Sequence, residues 1–170
     1  MYLPALLCTC LLSMLSVVYC LPIHHDSLKV LIKMQAETII HKIKVHVVKF
    51  NLPQNATWDL ELYEPISAAK PIQGLGSIID TLSTFQIILQ GFSKGHQSQL
   101  QRELSSLEVH MKERAAWMGC KLKKPTRQPL LDALLKHHEM YPVTATCAIL
   151  DRLKQFMQKL IANLDQLKSC

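Results

Sequence analysis

The sequence has little glycine, few aromatic residues and no charged side chain among its first twenty positions. Only 5 of its 170 residues are glycine and 6% are aromatic. Leucine, methionine, glutamine and lysine dominate instead, and these side chains lose little rotamer freedom in a helix. The composition therefore predicts an all-α protein. At 49% hydrophobic and 19% charged residues, it also predicts a folded globular chain and excludes a disordered one.

The uncharged N-terminal segment predicts a cleaved signal peptide over residues 1–20. Ala5–Val18 is almost entirely apolar, which is the length of a signal-peptide core and too short for a comfortable membrane span. Cys20 is compact enough for the position before the cut, so cleavage is expected before Leu21. No Lys or Arg precedes the apolar core, so a signal anchor is the alternative. Residues 21–170 are expected to form one secreted, extracellular domain.

Cysteine usage agrees with an extracellular protein. Loss of residues 1–20 leaves Cys120, Cys147 and Cys170, so at most one intramolecular disulfide can form and one thiol remains. Cys170 has little to do in packing at its position and is most easily explained as half of a disulfide. The sequon that begins at Asn55 is a candidate glycosylation site in a secretory protein.

Four segments carry apolar residues at steps of three and four, the spacing of amphipathic helices. They cover about residues 26–48, 74–91, 96–117 and 144–167. The fourth has the widest apolar stripe and is expected to be the most buried. A weaker pattern predicts a short helix at Leu130–Lys136.

The connections between these segments predict how they are arranged. The link between the second and third, Gly91–Gly95, is so short that the two helices must run antiparallel. The links Lys49–Gln73 and Gly119–Val143 each contain three prolines and, fully extended, reach about 80 Å. Each can therefore cross a helix about 35 Å long. The predicted fold class is an all-α, up-up-down-down four-helix bundle with two long crossover loops, the long-chain cytokine architecture.

This topology brings two of the cysteines together. The third and fourth helices are then parallel, so their C-terminal ends, followed by Cys120 and Cys170, are neighbours. A Cys120–Cys170 disulfide and the topology predict each other. Cys147 is expected to be a buried, inert thiol. Pairing of Cys147 between molecules, or in place of Cys120, is the alternative.

No catalytic, cofactor or metal site is expected. An enzyme needs a convergent nucleophile, base and stabiliser, and no motif in the sequence supplies them. The pairs His24-His25 and His137-His138 are expected in loop or terminal regions, and no two histidines have the i, i+4 spacing of helical metal ligands. Gly74-Leu75-Gly76 lacks the preceding strand of a dinucleotide loop and predicts a helix start. The net charge of +6 is expected to favour solubility, and no nucleic-acid partner is expected.

Several stretches resemble the leptin family. Lys70–Ile78 (KPIQGLGSI), followed by DTL and QIIL, is similar to the loop and second helix of fish leptins. Asp151–Cys170 is similar to their final helix and terminal cysteine. Leu21-Pro22-Ile23 resembles the start of mature leptins, and Thr38–Ile43 resembles their first helix. The resemblance covers nearly the whole of residues 21–170 and is weakest in the two long loops.

The resemblance implies a function that composition and periodicity do not. It implies a monomeric hormone of energy balance and appetite that clusters single-pass class I cytokine receptors, of the leptin-receptor type, and activates Janus kinases. It implies a single disulfide, which falls on Cys120 and Cys170. It places receptor contacts on exposed positions of the first and third helices and at the start of the fourth; here these include Gln99, Glu103, Ser106, His110 and Thr144.

Two alternative hypotheses remain from the sequence. One is a secreted four-helix cytokine with a different receptor. The other is a basic, helical secreted protein that binds lipids or membrane surfaces without spanning them, which would require its helix faces to open and bury in the interface.

Overall fold

The computed structural model of the protein describes residues 25–52, 71–92, 98–122 and 129–170. The chain divides into two compact units, Met1–Val30 and Leu31–Cys170. The first is described only from His25 onward, and the packed helices lie in the second. The predicted signal peptide and the sequon at Asn55 lie outside the described residues, as do residues 53–70, 93–95 and 123–128 of the three predicted links.

The regular secondary structure of the described residues is entirely helical, with no strand among them. The elements are α1 (His25–Lys49), α2 (Gly74–Phe92), α3 (Ser98–Trp117), α4 (Pro129–Met140), α5 (Pro142–Ala162) and the 3-10 helix η1 (Leu164–Lys168). The prediction of an all-α protein with four long helices is confirmed. The short helix predicted between the third and fourth long helices is also present, as α4.

The structure corrects the predicted end of the fourth long helix. The α-helix stops at Ala162 and does not continue to residue 167. The side-chain amide of Asn163 donates to the backbone oxygen of Lys159, at 2.8 Å, and its backbone N–H donates to Leu160 at 3.1 Å. Asn side chains that bond nearby backbone groups compete with the helix, and the chain tightens here into η1.

Two further details of the sequence prediction are wrong. His137 and His138, expected in a loop, lie in α4, which begins with Pro129 and extends to Met140. The imidazole of His138 stacks on Phe92 of α2, with ring centroids 3.9 Å apart. The most buried helix is α2 and not α5: ten of its nineteen residues are buried, against nine of twenty-one in α5.

Contacts between α1 and α3 show that these helices run in opposite directions. Gln35, early in α1, contacts His110, which lies late in α3. Lys42, two turns further along α1, contacts Glu103, which lies two turns earlier in α3. Residue numbers therefore rise along one helix as they fall along the other.

The same comparison orients α2 against α3. The buried Ser83 hydroxyl of α2 contacts Glu108 of α3, and the Gln101 side chain of α3 donates to the backbone oxygen of Leu89 in α2 at 2.9 Å. These two helices are antiparallel. Since α1 is also antiparallel to α3, α1 and α2 point the same way.

The fourth long helix completes the order. Phe85 of α2 packs against Phe156 of α5, with ring centroids 6.0 Å apart. Leu75, ten residues earlier in α2, contacts Ser169, beyond the end of α5. α5 is therefore antiparallel to α2 and parallel to α3. The order is up-up-down-down, as the lengths of the links predict.

The core lies between the apolar stripes of the four long helices. The predicted spacing holds closely, because residues at steps of three and four are those removed from solvent. Each fully buried aliphatic or aromatic side chain contributes about 1.5–3 kcal/mol of burial free energy. Core residues with no exposed surface include Ile32, Ala36 and Ile39 in α1, Leu75, Ile78, Leu82 and Phe85 in α2, Leu104, Leu107 and Met111 in α3, and Leu150, Leu153, Met157 and Leu160 in α5.

A disulfide joins the C-terminal ends of α3 and η1. α3 ends in a Schellman motif: Cys120 N–H donates to the Ala115 carbonyl at 2.9 Å and Gly119 N–H to Ala116 at 3.1 Å, with Gly119 at φ +71°, as this motif requires. Cys120 and Cys170 are bonded, with Cα atoms 5.4 Å apart. The predicted pairing is confirmed.

The first turn of α2 is capped by the backbone oxygens of Ser169 and Cys170. Leu75 N–H donates to the Ser169 carbonyl at 2.9 Å, and Gly76 N–H donates to the Cys170 oxygen at 3.0 Å. These N–H groups have no partner within their own helix. We call residues 166–170, in this position, the C-terminal clasp. The start of α2 at Gly74 confirms that the Gly-Leu-Gly motif begins a helix.

Candidate functional site

One row of α3 carries most of the contact residues that the family resemblance implies. Gln99, Glu103, Ser106 and His110 follow one another at steps of four, three and four, so they share a helical face. Gln99 is exposed, and the other three are half-buried. Trp117 continues the same row seven residues further on. The structure therefore aligns four of the five predicted contact residues along one edge of α3.

Two side chains of α1 face this row and bind to it. Lys42 forms an ion pair with Glu103. Gln35 reaches two residues at once: its Nε2 donates to Ser106 Oγ at 3.1 Å, and its Oε1 lies 3.1 Å from His110 Nδ1. We call these two residues of α1, together with Gln99, Glu103, Ser106 and His110 of α3, the α1–α3 surface.

The polar contacts in this surface position side chains more than they stabilise the fold. Lys42 and Glu103 are each about one-third exposed, and ion pairs near the surface contribute only about 0–1 kcal/mol because solvent screens them. Each neutral hydrogen bond contributes about 1 kcal/mol. The main consequence is geometric, since Glu103, Ser106 and His110 are each held by a partner on the neighbouring helix.

Exposed apolar side chains flank the α1–α3 surface. Met34 of α1 is 60% exposed, Val109 of α3 is 48% exposed, and Trp117 is 72% exposed. The Arg114 guanidinium lies 4.9 Å from the centre of the Trp117 ring and covers one side of it. Tryptophan, methionine and arginine are enriched in protein interfaces, so this arrangement is typical of a surface that binds another protein.

Thr144, the fifth predicted contact residue, lies apart from the row. It is half-buried in the first turn of α5. Since α3 and α5 are parallel and joined by the disulfide at their C-terminal ends, Thr144 lies toward the same end of the four-helix unit as Gln99. No contact between described residues connects it to the α1–α3 surface.

Sequence reasoning missed the part played by Gln35. Gln35 adjoins Ala36 of the apolar stripe of α1 in sequence, and the structure puts it half-buried at the edge of that stripe. A polar residue at the margin of an apolar stripe was the available signal. It could not identify Ser106 and His110 as partners, because the register between two helices distant in sequence is not contained in either pattern.

A buried carboxylate is the second feature that the sequence did not reveal. Glu108 is only 5% exposed, on the side of α3 that faces α2. It accepts a hydrogen bond from Ser83 Oγ at 2.5 Å and pairs with Lys112 at 2.6 Å. The charge is thus satisfied by one hydroxyl and one ammonium group, and it serves the packing of α2 on α3.

Cys147 is a free, buried cysteine, as predicted. It is 5% exposed, and desolvation raises the pKa of its thiol, although a backbone hydrogen bond acts in the opposite direction. Because the thiolate is the reactive form, a buried thiol with a raised pKa is a poor nucleophile.

The described part of the chain contains neither a metal-binding cluster nor a membrane-spanning helix. Over residues 25–52, 71–92, 98–122 and 129–170, no group of three His, Cys, Asp or Glu residues comes together to hold a metal ion. Within the same ranges, no helix combines the length and apolar character needed to cross a membrane.

Comparison with known proteins identifies the family. The model of the leptin family matches residues 23–170, which is nearly the whole chain and includes every helix among the described residues. No curated protein matches the chain. The leptin family consists of hormones of the cytokine type and not of enzymes, and its fold is the four-helix bundle seen here. The chain belongs to the leptin family.

Proposed function

We propose that this protein is a secreted hormone that binds a class I cytokine receptor of the leptin-receptor type through the α1–α3 surface. Receptor clustering then activates the associated Janus kinases, in the control of energy balance and appetite. The observation that supports this most directly is the alignment of Gln99, Glu103, Ser106 and His110 along one edge of α3, beside exposed apolar side chains.

The chemistry of the surface suits a protein partner. A few central side chains usually supply most of the binding free energy, and tryptophan is prominent among them. Trp117 and Met34 offer apolar area that is exposed in the free protein. The polar groups between the two helices are already held by their partners, so little side-chain entropy is lost when the receptor orders them.

A second contact at Thr144 is part of the proposal. A monomer that clusters receptors needs two separate places to bind them. Thr144 lies on α5, away from the row on α3, and exposed apolar residues adjoin it: Met140, Tyr141 and Val143 are each more than half exposed. This end of α5 is where a second receptor molecule would bind.

Export from the cell is also proposed. The segment 1–20 would direct secretion and be removed before Leu21, and Asn55 would carry the glycan. Expression in cultured animal cells tests both: the medium should contain protein whose first residue is Leu21, and an Asn55→Gln variant should lose any mass that a glycosidase removes. Retention of an uncleaved chain in the membrane fraction would instead indicate a signal anchor.

The central test is activation of a receptor. Purified, oxidised protein should cause Janus kinase phosphorylation in cells that express a leptin-type receptor and not in the parent cells. Replacing Gln99 or Trp117 with alanine should raise the half-maximal concentration about tenfold, since a contact residue of this kind contributes on the order of 1.4 kcal/mol or more. The melting temperature should not change.

A matched control separates binding from folding. Ile87→Ala removes an exposed apolar side chain from α2, away from the α1–α3 surface, and should leave signalling unchanged. If folded wild-type protein leaves the receptor silent, the protein is a four-helix cytokine of another specificity. If Gln99→Ala loses stability and signalling in parallel, Gln99 has a structural role and the proposed surface is wrong.

A further inference from the structure

The side chain of Gln35 bears on which ring nitrogen of His110 carries the hydrogen. Its amide has two chemically different ends: Nε2 only donates hydrogen bonds and Oε1 only accepts them. Nε2 is directed at Ser106 Oγ, at 3.1 Å, and a hydroxyl oxygen can accept. That leaves Oε1 facing His110 Nδ1, also at 3.1 Å. Two acceptors cannot bond, so in this orientation of the amide Nδ1 carries the hydrogen and donates it to Gln35. The reversed amide would accept from the Ser106 hydroxyl and donate to Nδ1, which gives the opposite tautomer.

This assignment determines the state of the other ring nitrogen. A neutral imidazole has one N–H and one nitrogen with a free lone pair. With the hydrogen on Nδ1, Nε2 of His110 is an acceptor. Among the described residues the ring's one hydrogen-bond partner is Gln35, at Nδ1, and Nε2 has none. The half-buried ring therefore offers an unoccupied acceptor at the surface.

We propose that Gln35 is a positioning residue that holds neutral His110 as the Nδ1–H tautomer, so that the α1–α3 surface presents Nε2 to the receptor as a hydrogen-bond acceptor. This rests on the proposed function. The partner group must then be an N–H or O–H donor, such as an amide, hydroxyl or indole. A carbonyl or carboxylate at this point would meet a lone pair and lose its own hydration without compensation. The Gln35–His110 pair therefore favours a receptor with a hydrogen-bond donor opposite Nε2 and disfavours one with an acceptor there.

The tautomer is tested on the free protein. Histidine-labelled protein is studied by two-dimensional ¹⁵N NMR at a pH where the imidazole is neutral, and Nδ1 of His110 should show the shift of a protonated nitrogen and Nε2 that of an unprotonated one. Gln35→Leu removes the acceptor and should return the ring to the Nε2–H form that histidine prefers in water. Gln35→Glu retains an acceptor oxygen and should preserve the Nδ1–H form.

A matched control and a clear contrary result complete this experiment. Gln155→Leu removes a half-buried glutamine from α5, where it donates to Asp151 at 2.6 Å, and should not affect the His110 spectrum. An Nε2–H ring in the wild-type protein, or the same ring state in the wild type and Gln35→Leu, would overturn the proposal.

Receptor binding tests the second half of the inference. His110→Asn keeps a polar group near Nδ1 but removes the outward acceptor, and it should weaken binding to the ectodomain of a leptin-type receptor about tenfold. Gln35→Leu should weaken binding to a similar degree, while Gln155→Leu remains near the wild type. Unchanged affinity of His110→Asn would overturn the inference about the partner.

These variants also separate the histidine acceptor from the proposed function. If Gln99→Ala and Trp117→Ala weaken binding while His110→Asn does not, the receptor uses the surface without the acceptor, and only the inference about His110 fails. If the wild-type protein binds no leptin-type receptor, the proposed function fails and takes the assignment of the donor with it. The NMR result decides the tautomer in either case.

Discussion

Substitution of Gly74 by alanine should destabilise the protein far more than the loss of a single helix-start glycine would suggest. Gly74 has φ +75°, where side chains are strained, and a Cβ atom there would lie 2.6 Å from the Cys170 carbonyl carbon and 2.8 Å from the Ser169 oxygen. The left-handed conformation costs a non-glycine residue about 1–2 kcal/mol. The backbone of the C-terminal clasp must also withdraw, because backbone atoms cannot rotate aside as a side chain can.

Withdrawal of the C-terminal clasp breaks two hydrogen bonds to the first turn of α2. Leu75 N–H to Ser169 and Gly76 N–H to Cys170 contribute about 1 kcal/mol each. Together with the backbone strain, Gly74→Ala should lower the free energy of unfolding by about 3–4 kcal/mol. For a protein of this size that is about 10 °C in melting temperature.

Gly119→Ala is the matched control. Gly119 has nearly the same backbone conformation, φ +71°, but a Cβ there meets nothing within 4 Å. Gly119→Ala should lower the free energy of unfolding only by the backbone strain, about 1–2 kcal/mol. Denaturation of the oxidised proteins in guanidinium chloride, followed by far-UV circular dichroism, measures both. Equal losses for the two variants would show that the clasp contributes nothing to α2. A second check is the reduced protein, in which the clasp can withdraw freely and the two variants should converge.

Three further predictions concern the buried carboxylate, the disulfide and the buried thiol. Glu108→Ala leaves the buried Ser83 hydroxyl without its partner and should lower the free energy of unfolding by about 2–3 kcal/mol. Chemical denaturation measures this change. A loss below about 0.5 kcal/mol, the level of a typical surface substitution, would mean that the Ser83–Glu108 hydrogen bond is not needed for stability. The double variant Cys120→Ser/Cys170→Ser opens a loop with a sequence separation of 50 and should cost about 4 kcal/mol in the same assay, while Cys147→Ala retains the disulfide and serves as the comparison. Burial raises the pKa of the Cys147 thiol, so the folded state favours the protonated form; its contribution to stability is full below the ordinary thiol pKa and declines at higher pH, as the unfolded chain ionises first. The stability of Cys147→Ala should therefore decline less in alkaline solution, and identical pH profiles would contradict the assignment.

Much of the architecture followed from simple features of the sequence. Apolar residues at steps of three and four located the four long helices, since burial of one face selects that spacing in any bundle. The contrast between one short link and two long ones set the direction of each helix. Once α3 and α5 were parallel, Cys120 and Cys170 lay at neighbouring helix ends, which favoured their pairing over the alternatives that involve Cys147. These inferences depend on periodicity and chain length, and both are local properties.

What the sequence did not reveal depends on register between distant segments. Glu108 occupies a position that could have been exposed, and its burial follows from the approach of Ser83 across the α2–α3 contact. Gln35 similarly gains its role from two residues on another helix. The stop at Ala162 depends on one side chain of Asn163 bonding backward. None of these relations produces a periodic signal, because each is a single contact between specific atoms.

The C-terminal clasp has a consequence for how the protein is made. Gly74 and Gln166, which meet in the clasp, stand 92 positions apart in the chain. A ribosome must therefore synthesise α3, α4 and α5 before the N–H groups at the start of α2 find their acceptors. Pairings so distant in sequence form slowly. The nascent chain can build its helices during translation, but the first turn of α2 acquires its acceptors only after residues 166–170 have been synthesised.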